Sequence, residues 1–497
     1  MATPGYNNKI PEKIMTPDKV ETRIGTLEFF DGMPNTYTVE KVYDNLDLMR
    51  GVEAFLNGVP AASLEAVRAG FVEFGADSSS KVVITDKLMD SNMLFLTGNT
   101  DTVYVMGILD LKKDGPTVVE IPPKCGPGTV DDAFFRFVVD MGGPGPDKGE
   151  GGRYLILPPD YKGEIIPTIG TMQAEVMGQK YFVVQSTSYV NLIALRGFLV
   201  NGKPDAAVAM FKNGLKIYPL AKASNPPTME FISGSKKNYN TIHANTYEFY
   251  EELHAVIERE PVSMLDPELR GLFASIGIQK GKLFSPDARM KKILTEAAAI
   301  GNATARALVF RPRLENVSRY PNSAWTLVVV DNCNYEFLKD GGAGGRYLDN
   351  RTMMFYQATL NTPAMVAKMI GKGSQYTAAM TDKNGDYFDG NKNYKLKIPS
   401  NVPTADFWSV VVYDPQTRSE LQTSQEFPSK NNKRDKLIQN ADGSVDLYFG
   451  PEAPDGKEAN WIQTIPDKGW FAYLRLYGPL GPWFDKTWRP GEIELVK

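Results

Sequence analysis

The sequence predicts an α+β fold that is mainly β, with two antiparallel β-sandwich domains, a helical N-terminal region and a mainly helical middle segment. Three observations predict it. Glycine and proline, at 44 and 34 of 497 residues, together exceed an average share of roughly 12% and indicate many turns. Short runs rich in β-branched and aromatic residues cluster in two separate parts of the chain. Helical spacings of apolar residues precede and separate these two parts.

Residues 1–74 are the predicted helical N-terminal region. Apolar residues recur there close to helical spacing at Val42, Leu46, Met49 and Leu56. Ser63 is the expected cap of a second helix that turns Leu64, Val67 and Phe71 inward.

Residues 75–200 are the first predicted β-sandwich domain. Its expected strands lie at 81–85, 103–109, 117–121, 134–139, 154–157 and 181–185. Gly-Pro turns separate several of these runs, and such turns suit neighbouring strands that run antiparallel.

Residues 201–371 are predicted to be mainly helical. Proline stands behind a polar residue at Pro204, Pro267 and Pro286, where its missing N–H suits the first turn of a helix. The third of these starts a helix that is expected to run to about residue 307. Another helix is expected over 347–370, broken or kinked near Pro363.

Residues 372–497 are the predicted C-terminal β-sandwich domain. The segment from Ile398-Pro399 to Asp414 parallels the segment from Ile121-Pro122 to Asp140, since each has an acidic turn followed by an aromatic and β-branched strand. Two interpretations stay open: a duplicated domain, or the ordinary likeness of β-strands.

Composition excludes several classes of function. The net charge of −4 lacks the basic excess of a nucleic-acid or anionic-membrane binder. No uncharged stretch reaches the roughly 18 apolar residues of a membrane span, and the N-terminus has no signal-peptide pattern. The sequence therefore predicts a soluble protein without nucleic-acid partners. Its compartment stays open between cytoplasm and periplasm.

Motifs for cofactors are equally scarce. Phosphate-cradling and dinucleotide-binding glycine motifs are missing, so no nucleotide cofactor is expected. Asp382, Asn384 and Asp386 resemble the start of a calcium loop, but Tyr387 stands where the loop needs glycine. The segment is interpreted as a hydrophilic turn, and the metal content stays unknown. Cys125 and Cys333 are predicted to be reduced thiols.

Both histidines of the chain fall in one predicted helix. His243, Tyr247, Tyr250 and His254 follow one another at spacings that place them on one helix face. Histidine serves as an acid or base near neutral pH, and tyrosine can hydrogen-bond a polar substrate. The alternative is a half-buried aromatic packing face.

A second candidate lies where a loop enters the strand at 103–109. Residues from Asn99 to Tyr104 supply amide, carboxylate, hydroxyl and phenol groups within six positions. Asp101 is interpreted either as a buried turn cap or as a catalytic carboxylate. Five of the six tryptophans lie in the C-terminal part, among them Trp408, and aromatic platforms of this kind suit sugar faces as well as cores.

Several motifs are similar to a known pairing of domains. The run from Thr22 to Gly32 and the segment from Asn99 to Tyr104 resemble the bacterial domain of unknown function numbered twelve fifty-four. Phe407-Trp408-Ser409 and the run from Leu474 to Pro479 resemble its usual C-terminal companion, numbered twelve fourteen. Ile462 departs from the pattern mildly, since leucine is expected there. The resemblance implies two jelly-roll-like domains and members that are often exported, but it implies no activity.

The leading functional expectation is a hydrolase or lyase that acts on a small organic or sugar-derived substrate in an inter-domain cleft. Asp101 or His243 is the expected acid or base. The expected substrate-binding residues are Asn99, Tyr104, Tyr247, His254, Trp408 and Arg475, of which Arg475 would meet an anionic group. The rival is a non-catalytic ligand- or carbohydrate-binding envelope protein. A homo-oligomer is possible in either case.

Overall fold

The N-terminal part of the chain combines a small antiparallel sheet with one long helix. The structure is a computed structural model that describes residues 9–168, 171–330 and 333–496. Three strands come first, β1 (Lys19–Thr22), β2 (Gly25–Phe30) and β3 (Met33–Pro34). Helix α1 (Thr36–Glu73) follows, and the Asn35 side chain caps it by accepting from the N–H of Thr38 at 2.8 Å. The helical N-terminal region predicted over residues 1–74 therefore also contains three strands that the sequence did not predict.

Two sheets form the next part of the chain. Their strands, with one small pair, are β4 (Lys81–Ile84), β5 (Met93–Leu94), β6 (Thr102–Asp110), β7 (Thr117–Ile121), β8 (Gly128–Asp132), β9 (Phe137–Met141), β10 (Gly152–Leu157), β11 (Gln173–Val176), β12 (Gln179–Gln185), β13 (Val190–Phe198), β14 (Lys216–Pro219), β15 (Glu230–Ser233) and β16 (Tyr239–Asn240). Helices α2 (Leu111–Asp114) and α3 (Asp205–Gly214) interrupt them. A six-stranded sheet has the order β15-β4-β6-β13-β8-β9, and a five-stranded sheet has the order β11-β12-β10-β7-β14. Side chains of both sheets share one apolar core that includes Val105, Tyr154 and Ile193.

The middle of the chain is mainly helical from residue 248, whereas the segment predicted to be mainly helical, 201–371, also contains β14, β15 and β16. Its elements are α4 (Glu248–Arg259), α5 (Pro267–Ser275), α6 (Ala288–Phe310), the strand β17 (Trp325–Thr326), α7 (Leu348–Gln357) and α8 (Pro363–Val366). Helix α5 begins at the predicted Pro267 behind the cap Asp266. Helix α6 begins two residues later than predicted because Asp287, not Ser285, caps it. The expected break near Pro363 separates α7 from α8.

The C-terminal part again contains two sheets. Its elements are β18 (Ser374–Ala379), β19 (Phe388–Asp389), β20 (Tyr394–Ile398), β21 (Thr404–Tyr413), β22 (Ser429–Asn431), β23 (Val445–Gly450), β24 (Trp461–Gln463), β25 (Gly469–Pro479), α9 (Gly481–Phe484) and β26 (Ile493–Leu495). The larger sheet follows β17-β18-β25-β21-β22, with β19 also paired to β25, and the smaller follows β24-β23-β20-β26. Trp408, Leu447 and Leu474 belong to the core that these two sheets share.

The fold is thus a mixture of helices and several sheets. Most strand pairs are antiparallel, but β4 with β15, β5 with β16, β10 with β12 and β23 with β24 run parallel. The prediction of purely antiparallel sheets is wrong for these pairs, since each parallel pair is joined by a crossover connection instead of a tight hairpin. No described helix is both long and apolar enough to cross a bilayer.

One large core joins the two β regions through the helices. It contains side chains of α1, α4, α6 and α7 together with one face of each six-stranded sheet. Residues 58–67 of α1 are buried in it. This burial outweighs the N–H that Pro60 lacks, so α1 continues through Ser63 and the second helix predicted there does not exist as a separate element.

Both cysteines are free thiols, as predicted. Burial raises the pKa of Cys125 to about 12 and that of Cys333 to about 11. We expect the native protein to react slowly with a thiol reagent at pH 8, and the denatured, non-reduced protein to titrate two thiols. Finding no thiols after denaturation would contradict the structure, because it would require a disulfide.

Candidate functional site

Two arginines from different sheets converge between the two β regions. Alternation along strands turns every second side chain toward the large shared core. On β13 this places Arg196 in the same direction as the core residue Ala194, and on β25 it places Arg475 in the same direction as Tyr473. The two guanidinium groups flank Tyr376 of β18. The Arg196 Nη1 atom lies 3.4 Å from the Tyr376 hydroxyl, and the Arg475 guanidinium carbon lies 4.8 Å from the centre of its ring.

Neither arginine forms an ion pair within 4.0 Å in the described part of the chain, although the charge of Arg196 acts on the Asp140 carboxyl. The Nη2 atom of Arg475 donates to the Thr97 carbonyl at 2.5 Å and to the Tyr413 hydroxyl at 2.7 Å. Its Nε atom is buried without a hydrogen-bond acceptor among the described residues. The Arg196 guanidinium lies 5.4 Å from the ring centre of Tyr104. Buried charges are normally paired, so two unpaired guanidinium groups are the signature of a site for an anion.

A cavity lies between these groups. It has a volume of about 40 Å³ and is lined by Tyr104, Arg196, Tyr376 and Arg475. Its remaining wall is largely apolar and includes Leu360. A second cavity of about 30 Å³ shares Arg196 and Leu360 with the first and reaches Asp140. We call the two together the inter-domain chamber. At roughly 10–15 Å³ per water, the first cavity holds about three water-sized groups, which is the size of a carboxylate with its attached carbon.

The two tyrosines of the chamber have opposite pKa shifts. Burial would raise the pKa of Tyr376, but the charges of Arg196 and Arg475 outweigh it and lower the pKa below its usual value. Burial dominates for Tyr104 and raises its pKa, although the same arginines act against it. A lowered pKa favours the phenolate form of Tyr376, which can accept a proton from a substrate, while Tyr104 keeps a proton to donate.

Asp101 lies beside this chamber and is fully engaged in hydrogen bonds. Its carboxylate accepts from the Ser409 hydroxyl, from Asn431 Nδ2 at 3.0 Å, and from the hydroxyls of Thr100 and Tyr477 at 3.3 Å each. Three of these donors belong to β21, β22 and β25, so Asp101 ties the loop before β6 to the C-terminal sheet. Its side chain is fully buried and is not part of the chamber wall.

Asn99 holds the loop that carries Asp101. Its Oδ1 atom accepts from the backbone N–H groups of Asp101 at 2.9 Å and Thr102 at 3.1 Å, as in an Asx-turn. Its Nδ2 group donates to the Tyr104 hydroxyl. Asn99 therefore orients a phenol of the chamber instead of facing the chamber itself.

His243 is not on the predicted helix face, because α4 begins only at Glu248. Its ring is buried between those of Phe249 and Tyr356, with centres 5.7 and 5.8 Å away. Burial and the charge of Arg418 lower its pKa to about 3. The imidazole is therefore neutral at physiological pH, which removes the basis for the predicted acid–base role near neutral pH.

The remaining predicted residues lie elsewhere. Tyr247 and His254 both stack on Phe284, with ring centres 6.1 and 5.7 Å away, and form an aromatic packing face. Trp408 is buried in the core of the C-terminal sheets, so no sugar-binding platform is accessible there. Asp382 accepts from the N–H groups of Asn384 and Asp386, as expected for a turn. Among the described residues, no three His, Cys, Asp or Glu side chains are grouped as metal ligands.

Sequence reasoning found Tyr104 and Arg475 but missed Arg196 and Tyr376. The sequence did contain a signal for Arg196, because it is a charged residue within the largely apolar strand from Val190 to Phe198. Arginine is rarely buried without a partner. Tyr376 carried no such signal, because tyrosine is common in strands.

Comparison with known proteins confirms the two domains that the motifs indicate. Residues 80–219 match the family described as protein of unknown function DUF1254, and residues 373–481 match the one described as protein of unknown function DUF1214. The chain therefore carries this tandem in the expected order. No curated protein matches the chain significantly.

Two solved structures are similar to this chain, and their descriptions state no function. The VPA0106 protein from Vibrio parahaemolyticus is 16% identical, with a TM-score of 0.54 over 91% of this chain and 100% of that chain. An uncharacterised protein from Burkholderia cenocepacia is 13% identical, with a TM-score of 0.40 over 92% of this chain and 96% of that one. The first likeness supports the fold alone.

Proposed function

We propose that this tandem of a DUF1254 and a DUF1214 domain is a lyase that acts on a short β-hydroxycarboxylate bound in the inter-domain chamber. One observation carries the proposal: Arg196 and Arg475 meet at Tyr376 without an ion-pair partner among the described residues. A carboxylate would supply the missing negative charge, and it would do so beside a phenol whose pKa the two arginines lower.

Each residue has one role in the proposed reaction. The arginines bind the substrate carboxylate and offset the charge that builds up next to it. The Tyr376 phenolate takes the proton from the α-carbon, and the electron pair of that C–H bond forms a carbon–carbon double bond. The bond from the β-carbon to its hydroxyl breaks at the same time, and the oxygen leaves as water with the proton of Tyr104. Proton transfer from Tyr376 back to Tyr104 restores the starting state.

Asn99 and Asp101 would act on the site without touching the substrate. Asn99 orients the Tyr104 hydroxyl, and Asp101 fixes the loop between the two β regions. Both are positioning residues in this proposal. The two β regions, expected to be jelly-roll-like, would then serve as the frame that brings β13 and β25 together.

Arg196→Gln tests the binding of the carboxylate. We expect β-hydroxybutyrate, but not its neutral amide, to raise the melting temperature of the wild-type protein. In Arg196→Gln the affinity for β-hydroxybutyrate should fall about tenfold or more, since a charge-assisted hydrogen bond contributes roughly 1.5–3 kcal/mol. Arg153→Gln, a change at an exposed arginine of β10 outside the chamber, serves as the control and should keep full affinity.

Tyr376→Phe tests the proton transfer separately. The wild-type protein should exchange the α-protons of β-hydroxybutyrate with deuterium from the solvent, as seen by NMR. Tyr376→Phe should still bind the acid but should lose the exchange. The control is Tyr250→Phe, which removes a buried hydroxyl outside the chamber and should behave like the wild type. Wild-type protein that binds β-hydroxybutyrate without exchange would refute the lyase and leave a binding protein.

A further inference from the structure

A second cleft with a cationic lining lies apart from the inter-domain chamber. It has a volume of about 270 Å³ and is formed by the turn between β8 and β9, the start of α5, the loop at 335–338, and α7. It shares no lining residue with the chamber. Its lining includes three arginines, Arg136, Arg346 and Arg351.

Two of these arginines have free hydrogen-bonding capacity. Arg351 is 7% exposed, and its one hydrogen bond to a described residue runs from Nη2 to Asn57 Oδ1 at 2.5 Å. Its Nε atom is buried without an acceptor among the described residues. Arg346, which is exposed, donates only from Nε, to the Glu336 carbonyl at 2.9 Å, within the described part of the chain. Arg136 differs, because Asp132, Met264 and Thr187 accept from its three nitrogens.

The nearby acidic groups are Asp266 and Glu336, whose charges act on Arg346, and Glu53, whose charge acts on Arg351. Asp266 caps α5 by accepting from the N–H of Leu269 at 2.9 Å, and Glu336 is exposed. Neither forms an ion pair within 4.0 Å of Arg346 or Arg351 among the described salt bridges. Burial and the nearby charge of Arg346 lower the pKa of Arg351 to about 10. Within the part of the chain that the structure describes, the cleft therefore holds two guanidinium groups without an ion-pair partner.

The rest of the wall is aromatic and aliphatic. Phe137 and Tyr335 meet edge to face with ring centres 5.5 Å apart, and Phe134, Leu265 and Leu269 lie in the same lining. Such a surface favours a flat apolar body, because aromatic rings pack well edge to face and offset. A volume of about 270 Å³ is close to the lower end of ordinary ligand pockets, which begin at roughly 300 Å³.

We propose that this cleft binds an aromatic monocarboxylate, with the carboxylate between Arg346 and Arg351 and the ring against Phe137 and Tyr335. Planar guanidinium groups bind carboxylates with two parallel hydrogen bonds, which suits the free nitrogens of these arginines. The ligand differs from that of the chamber, where the first cavity of about 40 Å³ is too small for a ring.

The test uses benzoate and two partial analogues with the full chain, by isothermal titration calorimetry. Benzoate should bind at least about tenfold more tightly than benzyl alcohol, which lacks the charge, and than acetate, which lacks the ring. Arg346→Met should lower the benzoate affinity about tenfold or more, and Arg346→Lys should lower it less. Arg346 is exposed, so these variants should fold, and Arg153→Met is the matched control that should keep full affinity.

The outcomes separate this cleft from the chamber. Unchanged benzoate affinity in Arg346→Met, or equal affinity for benzoate and benzyl alcohol, would overturn the proposal. If Arg196→Gln lost benzoate binding and Arg346→Met kept it, benzoate would be assigned to the chamber, and this result would also overturn the proposal. Loss in Arg346→Met alone would establish the cleft, whatever the result with β-hydroxybutyrate.

Discussion

Asp101→Asn is expected to destabilise the protein by on the order of 2–3 kcal/mol while the folded variant keeps its affinity for β-hydroxybutyrate. The wild-type carboxylate accepts four hydrogen bonds from Ser409, Asn431, Thr100 and Tyr477. An amide offers one acceptor in place of two and turns an N–H₂ group toward at least one donor. With its oxygen at the Oδ1 position, the amide still accepts from Asn431 Nδ2 and Thr100. Its nitrogen then faces the Ser409 and Tyr477 hydroxyls, which must rotate to accept and lose two hydrogen bonds to a charged oxygen.

The free energy of unfolding, measured with urea at pH 5, gives the size of this effect. A catalytic Asp101 would show the opposite pattern, with deuterium exchange lost and stability nearly unchanged. The double variant Asp101→Asn/Asn431→Asp exchanges the acceptor and the donor across the same contact. The double variant should recover part of the lost stability. A coupling energy near zero between Asp101 and Asn431 would refute the conclusion that Asp101 links the two β regions.

The sequence predicted the β regions and most helix starts because these depend on local chemistry. Alternating and β-branched runs predicted β7 and β10, and Asp266 with Pro267 predicted the start of α5. Local rules failed where tertiary packing opposed them. Ser63 has the chemistry of a cap, but it lies inside α1, which the large core keeps helical through Pro60.

The candidate site was predicted only in part, because its residues are distant in sequence. Tyr104 and Arg475 came from motifs, whereas Arg196 and Tyr376 reach the chamber through the pairing of strands that no local pattern specifies. His243 shows the reverse case. A helical spacing suggested an accessible face, but the chain places His243 before α4 and buries it between two aromatic rings.

Glu420→Gln is expected to stabilise the protein at pH 8 by on the order of 3 kcal/mol and to have little effect near pH 4.5. Glu420 is 2% exposed, and neither of its carboxyl oxygens has a hydrogen-bond partner among the described residues. Burial, with the negative charges of Asp90 and Asp101, raises its pKa to about 8. Removing the charge of this one carboxyl should therefore give an unusually large gain in the free energy of unfolding for a single substitution.

The direction of the pH dependence follows from linkage. The folded pKa of about 8 lies above the ordinary glutamate value of about 4.5, so the folded state holds a proton that the unfolded state has already released. The wild-type protein therefore loses stability as the pH rises from about 4.5 to 8, and glutamine, which does not titrate, removes that loss. Glu252 and Glu260, whose pKa values burial also raises, to about 8 and about 7, titrate equally in both proteins and cancel in the difference.

Urea unfolding of both proteins at several pH values between 4.5 and 9 measures this difference. The stability gained by Glu420→Gln should grow through this range and level off above pH 8. Glu296→Gln, a change at an exposed carboxyl of α6, is the control and should stay within about 0.5 kcal/mol of the wild type throughout. A gain in stability that is the same at pH 4.5 and pH 8 would mean that glutamine improves packing instead of relieving a buried charge. The inference that Glu420 is protonated in the folded protein would then be wrong.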